Sequence, residues 1–198
     1  AATYSRVVDK EDAAELMDAQ EQISAGSLAS RVEVVRTLLE AHQDAAAFGV
    51  ISIPELGAAW CRYTQWYAGW VASHPDVEGG PSDDVVDAHV DSWAGTLIFS
   101  IPSQEYLRDL LLHLVEAAPD DVLPSVAARF VEDYVWDGEE CLAWVEQQCA
   151  ASERFRRTLT HAWLWSDMSE SSFARLEAAA RVPLANPNRH RSDNDPNE

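Results

Sequence analysis

From Leu107 onward the apolar residues fall three and four positions apart: Leu107, Leu110, Leu111, Leu114, Val115 and Ala118. That spacing lines one face of an α-helix and cannot serve a strand, whose faces alternate every second residue. The period returns at Leu123, Val126, Ala127, Phe130 and Tyr134, at Phe155, Leu159 and Ala162, and at Phe173, Leu176 and Ala180. No run alternates over the length of a strand, and GVISI (49–53) is the one short candidate. The pattern predicts an all-α fold, a compact array of eight or nine antiparallel helices with helix pairs stacked in the C-terminal half.

Predicted spans are 9–24, 28–47, 54–73, 83–99, 103–118, 121–135, 138–150, 153–165 and 169–181. Capping-box spacing occurs at Ser30 with Glu33, Asp137 with Glu140 and Asp167 with Glu170, although Ser30 also fits inside a helix starting near Ser27. Pro54, Pro102 and Pro124 suit first turns, where a missing N–H costs nothing. HPDVEGGPSDD (74–84) is the strongest breaker. The reading is one helical domain over 1–182, with N-terminal helices (9–48) packed on a core (53–182) and a flexible acidic and polar tail over 183–198.

Of 198 residues, 34 are Asp or Glu and 14 are Lys or Arg, a formal net charge of −20. Such a field repels phosphate backbones and anionic lipid and favours basic partners or cations, so nucleic-acid and membrane binding are not expected. No apolar run approaches the ~20 residues that cross a bilayer. Cys61, Cys141 and Cys149 form no CxxC pair and no metal-ligand spacing, which suits a reducing cytoplasm without a secretory leader. Nothing in the pattern sets the oligomeric state.

From about Ile53 to Ala180 the chain resembles an uncharacterised bacterial family of all-helical domains of unknown function. AAWCRY, DSWAGTL, LRDLLLHLVEAAPDDVL, AARFVEDYV and ERFRRTLTHAWLWSDMSESSFARLEAAA carry the likeness. Its ending is the most telling part: RFRR, a tryptophan six residues after the last Arg, a polar break and a closing helix. The chain departs from the family near 128–133, where ARFVED stands in place of a Gly-Pro-Leu-Glu turn and only Glu132 matches. The resemblance implies a helical fold and a bacterial origin, and it supplies no catalytic residues.

AWCRYTQWYAGW (59–70) holds three tryptophans and two tyrosines. On a helix the five rings share one arc with Leu56, Ala59 and Val71, as the buried face of a docked helix would. Trp66, at the edge of that arc and one turn from Arg62, is the ring expected to meet something outside the fold. DDVVDAHVD (83–91) places Asp84, Asp87 and Asp91 on one helical face, and DDVVD (Asp83, Asp84, Asp87) has the spacing that terpene synthases use for magnesium. Acids are also favoured at any helix start by its dipole, which makes a solvated face the plainer reading.

ERFRRTLTH (153–161) is the one concentrated basic stretch. Arg156 and Arg157, with His161, are candidate contacts, against internal ion pairing as the default in so acidic a chain. His113 lies beside the apolar stripe of its helix, and Glu116 follows it in the wrong order for a di-iron Glu-x-x-His pair. There is no GxSxG, no phosphate loop and no HExxH, so no catalytic residue is assigned.

Two classes of function stay open. The first is a non-catalytic acidic interaction module of the immunity, inhibitor or regulatory adaptor type, needing no cofactor and binding a protein with a basic surface. The alternative is a small helical enzyme or ligand-binding domain with an aromatic pocket and Mg²⁺-binding carboxylates.

Overall fold

The structure, a computed structural model, describes residues 26–164 and 168–184. The helix expected over 9–24 and nearly all of the tail lie outside the described residues. Among those described there is no strand, and the fold is all-α. The helices are α1 (Leu28–Glu40), α2 (Asp44–Ala47), α3 (Ile53–Ser73), α4 (Asp83–Asp87), α5 (Ser92–Leu97), α6 (Gln104–Ala117), α7 (Leu123–Val126), α8 (Glu132–Trp136), α9 (Glu139–Ala151), α10 (Glu153–Leu159) and α11 (Glu170–Ala180). A 3₁₀ turn (Ile98–Ser100) extends α5, and a π-turn (Ala127–Val131) joins α7 to α8. The GVISI segment forms no strand; Val50 and Ile51 are buried and Ile53 opens α3.

Serine hydroxyls start most of the longer helices. Ser27 accepts from the Ser30 N–H, so Ser30 sits inside α1 and does not cap it. Ser103, Ser152 and Ser169 cap α6, α10 and α11 in the same way. Ser52 and Glu55 form a reciprocal capping box on α3, with Pro54 in its first turn. Glu55 also takes both arms of Arg31 from α1. Against the cost of burial, the hydrogen bonds from Ser52 and Arg31 hold its carboxyl below the ordinary range. Asp137 does not cap α9: that position is Gly138 at φ +115°, a backbone state that strains any side chain.

Around α6 the core closes with Leu110, Leu111, Leu114 and Val115 inward. α3 packs on α5 and α6, while α9 packs on α8, α10 and α11. Trp60 of α3 meets Phe130 of the π-turn edge-on at 4.9 Å. Tyr134 is fully buried, and the Arg108 guanidinium donates to its hydroxyl, so no polar atom is stranded there.

Three predicted helices are broken. The expected 28–47 helix turns at His42, whose φ is +55°. The expected 153–165 helix ends at Leu159, because the chain must extend for the Trp163 N–H to reach the buried Glu132 carboxylate. The expected 83–99 helix stops after Asp87 and restarts at Ser92; α4 buries none of its residues and so has no packed face to carry it further.

Candidate functional site

The aromatic helix α3 changes character along its length. Leu56, Ala59 and Trp60 are buried, whereas Tyr63, Trp66, Tyr67 and Trp70 are only half-buried and Val71 is exposed. The rings beyond Trp60 are therefore not core. Tyr63 and Tyr67 form one wall of a groove of about 790 Å³ between α3, α5 and the π-turn. Trp60 and Ile98 reach its apolar interior, and Phe99, Ala128 and Arg129 complete the lining on the side of the π-turn.

Gly95 lets α5 approach α3 this closely, since a Cβ there would lie 2.7 Å from Tyr63 Cε1. Gly80, at φ +93° in the loop before α4, leaves room for the Tyr67 hydroxyl. The Arg129 guanidinium lies 4.2 Å from the centre of the Phe99 ring and bonds Asp133 at 3.0 Å. Phe99 is 73% exposed and stands at the groove's mouth.

The polar side chains of the groove are the hydroxyls of Thr64, Ser92, Thr96, Ser100 and Ser125, the two phenols and Arg129. Among the described residues its lining contains no His, Cys, Asp, Glu or Lys. Burial, then neighbouring Tyr67 and Asp87, push the Tyr63 phenol above its usual range. Among the described residues, the lining offers no carboxylate, imidazole or thiol for proton exchange near neutral pH. The arrangement can hold an apolar molecule and orient it by hydroxyls.

No family model, curated protein or solved structure matches the chain.

None of the candidate contacts or metal ligands named from the sequence is part of the groove's lining. Trp66 stacks on His89 at 4.3 Å between ring centres, so a residue of the chain itself covers one face of it. Arg62 grips Asp91 with two hydrogen bonds, at 2.9 and 2.7 Å. Asp91 is 5% exposed and sits beyond the break after α4, so Asp84, Asp87 and Asp91 do not share a helical face. Among the described residues no group of three or more His, Cys, Asp or Glu is placed to hold a metal ion.

The basic cluster is tied down internally. Arg154 donates to the carbonyls of Val115 and Ala118, closing the C-terminal end of α6, and pairs with Asp120 at 2.7 Å. Arg157 shares that carboxylate at 2.6 Å, and Arg156 bonds the Cys149 carbonyl at 2.8 Å near the end of α9. Cations at helix C-termini meet the negative end of the dipole, which explains arginines at the start of α10. His161 is exposed in the turn after α10.

A smaller cleft of about 260 Å³ between α3 and α6 brings Cys61 and His113 into one lining. Burial pushes the Cys61 thiol up to about 11, so it is not a nucleophile there. His113 packs against Gly57, whose missing side chain makes space for the imidazole.

The sequence reading missed Phe99, Arg129 and the outward half of α3. Gly95 inside a helical stretch was the available signal, because a glycine there often marks close approach. The π-turn carried no signal, since one inserted residue leaves the three-and-four spacing of apolar residues nearly unchanged.

Proposed function

We propose that this chain is a non-catalytic binding module whose site is the groove between α3, α5 and the π-turn, and whose ligand is a small apolar molecule. The observation that carries the reading is an open groove of about 790 Å³ walled by tyrosine and phenylalanine rings, with no carboxylate, imidazole or thiol among the described residues of its lining. That volume falls in the usual ~300–1,000 Å³ range of ligand sites. The π-turn that supplies Ala128 and Arg129 belongs to a class of helix distortion often found at functional sites. The reading needs no cofactor, and three buried free cysteines fit a reducing, cytoplasmic setting.

Diphenylhexatriene, an uncharged rod whose fluorescence rises in apolar surroundings, tests it. The wild-type protein is expected to bind the dye saturably. Ala128→Trp and Thr96→Trp, each filling the groove from a different wall, are expected to abolish binding while circular dichroism stays unchanged. No binding to wild type, or equal binding to both folded variants, would sink the proposal.

A second reading keeps the acidic surface as the functional part: capture of a basic protein by an inhibitor, immunity or adaptor type of module. The favouring observation is that Arg62, Arg154, Arg157 and Arg175 are bound to the chain's own carboxylates. Asp83, Asp84 and Asp87 meanwhile stay exposed. No site for nucleic acid or membrane is proposed on such a surface, and among the described residues no helix is long and apolar enough to cross a membrane. Ionic strength separates the readings: protein capture weakens steeply with salt, whereas dye binding in the groove does not.

A further inference from the structure

The charges around the groove do not balance. Among the described residues Arg129 is the one cation in its lining, and Asp133 holds it at 3.0 Å. That pair is close to neutral as seen from the groove. On α4, by contrast, Val86 lines the groove and Asp87 follows it, exposed and without a cation beside it in any ion pair the structure describes. The Ser92 hydroxyl, also in the lining, lies 3.5 Å from the Asp87 carbonyl, which places the end of α4 at the groove's edge.

We infer that the groove takes a lipophilic organic cation, a quaternary or protonated amine on an apolar body, with its charged head against the Tyr63 and Tyr67 rings beside Asp87 and its body over Ile98 and Phe99. This inference rests on the groove being the binding site at all, and it names the ligand's chemical class. Tyrosine faces attract cations through their ring quadrupole, and desolvation in a groove strengthens that attraction. The centres of the Tyr63 and Tyr67 rings lie 6.3 Å apart, so both fall within reach of one ammonium head. Burial first, then Tyr67 and Asp87, push the Tyr63 phenol up, in keeping with a carboxylate near that ring. A net charge of −20 raises the local concentration of cations further. An anionic ligand would have to compete with Asp133 for Arg129 inside that same negative field.

Three dyes of one skeleton test the charge: diphenylhexatriene, its trimethylammonium derivative and its propionate. At low salt the ammonium dye is expected to bind wild type about five-fold tighter than the neutral dye, in line with a cation–π contact plus a nearby carboxylate. The propionate is expected to bind weakest. Asp87→Asn should remove most of the ammonium advantage and leave the neutral dye unchanged. Glu170→Gln removes the same charge from α11, which packs on α9 and α10, and should leave the advantage intact. If the neutral dye binds but the ammonium dye gains nothing, or the propionate binds tightest, the cation inference is overturned and the groove stands. Equal loss in Asp87→Asn and Glu170→Gln would also overturn it, because the preference would then come from the diffuse field. If no dye binds, the groove itself is refuted as a site.

Discussion

Gly95 of α5 faces the ring of Tyr63 on α3 so closely that a methyl group at Gly95 would lie 2.7 Å from Cε1 and 3.1 Å from Cζ. Gly95→Ala gains up to ~1 kcal/mol of helix propensity but drives three ring atoms aside, and overpacking of this kind costs ~1–3 kcal/mol. A net loss of ~1 kcal/mol is expected in urea unfolding, together with weaker dye binding as Tyr63 tips into the groove. A variant more stable than wild type, with unchanged dye affinity, would show that α3 and α5 have slack at this point.

Asp91 is buried and both its carboxylate oxygens are taken by Arg62, whose side chain is 55% exposed. The pair therefore acts as a partly wet tether between α3 and the start of α5. Arg62→Ala leaves a buried carboxylate without its cation and is expected to cost ~2 kcal/mol, below the ~3–5 kcal/mol of a fully enclosed pair. Asp91→Asn, which strands no charge, should cost less. The reverse order in chemical denaturation would refute the tether.

Among the arginines of α10, Arg154 is expected to matter most. It satisfies two carbonyls at the end of α6 and shares Asp120 with Arg157. Arg154→Ala should cost ~2–3 kcal/mol, because hydrogen bonds from a charged donor to otherwise unpaired carbonyls are lost. Arg157→Ala, at a half-exposed ion pair, should stay below ~1 kcal/mol. Thermal melts of the two variants give the comparison, and equal shifts would contradict the capping role.

Burial pushes the thiols of Cys61 and Cys149 from 9.0 up to about 11. At pH 8 the folded protein is expected to react with a disulfide reagent at neither site, and both should react at once in denaturant. The sign of the linkage follows from the same shift. The folded state holds these protons more tightly, so the stability they contribute is complete below pH 9.0 and is lost as pH rises through about 11. Unfolding midpoints measured between pH 8 and 11 should fall over that window, and Cys61→Ala with Cys149→Ala should flatten the fall.

Much of the fold was legible because burial and helical period coincide. Leu110, Leu111, Leu114 and Val115 read as one face and are one buried face. The caps were half legible: Ser27 and Ser30 were poorly separated, since a hydroxyl caps only where the backbone has already left the helix. The acidic run over 83–91 misled because its spacing fits one helix, yet spacing does not say where a helix lacks a surface to pack on. Arg62 decided that point by taking Asp91 out of the row.

The aromatic stretch divides along the same line. The sequence by itself determined that Trp60, Tyr63, Trp66, Tyr67 and Trp70 line one side of α3, because helical geometry fixes which residues share an arc. Tertiary structure alone decided which of those rings are core and which wall a groove. Phe130 closes over Trp60, whereas Gly95, lacking a side chain, and the π-turn leave space beside Tyr63 and Tyr67 that stays open as the groove. Period records which residues share a side, and only the neighbouring helices determine whether that side is filled.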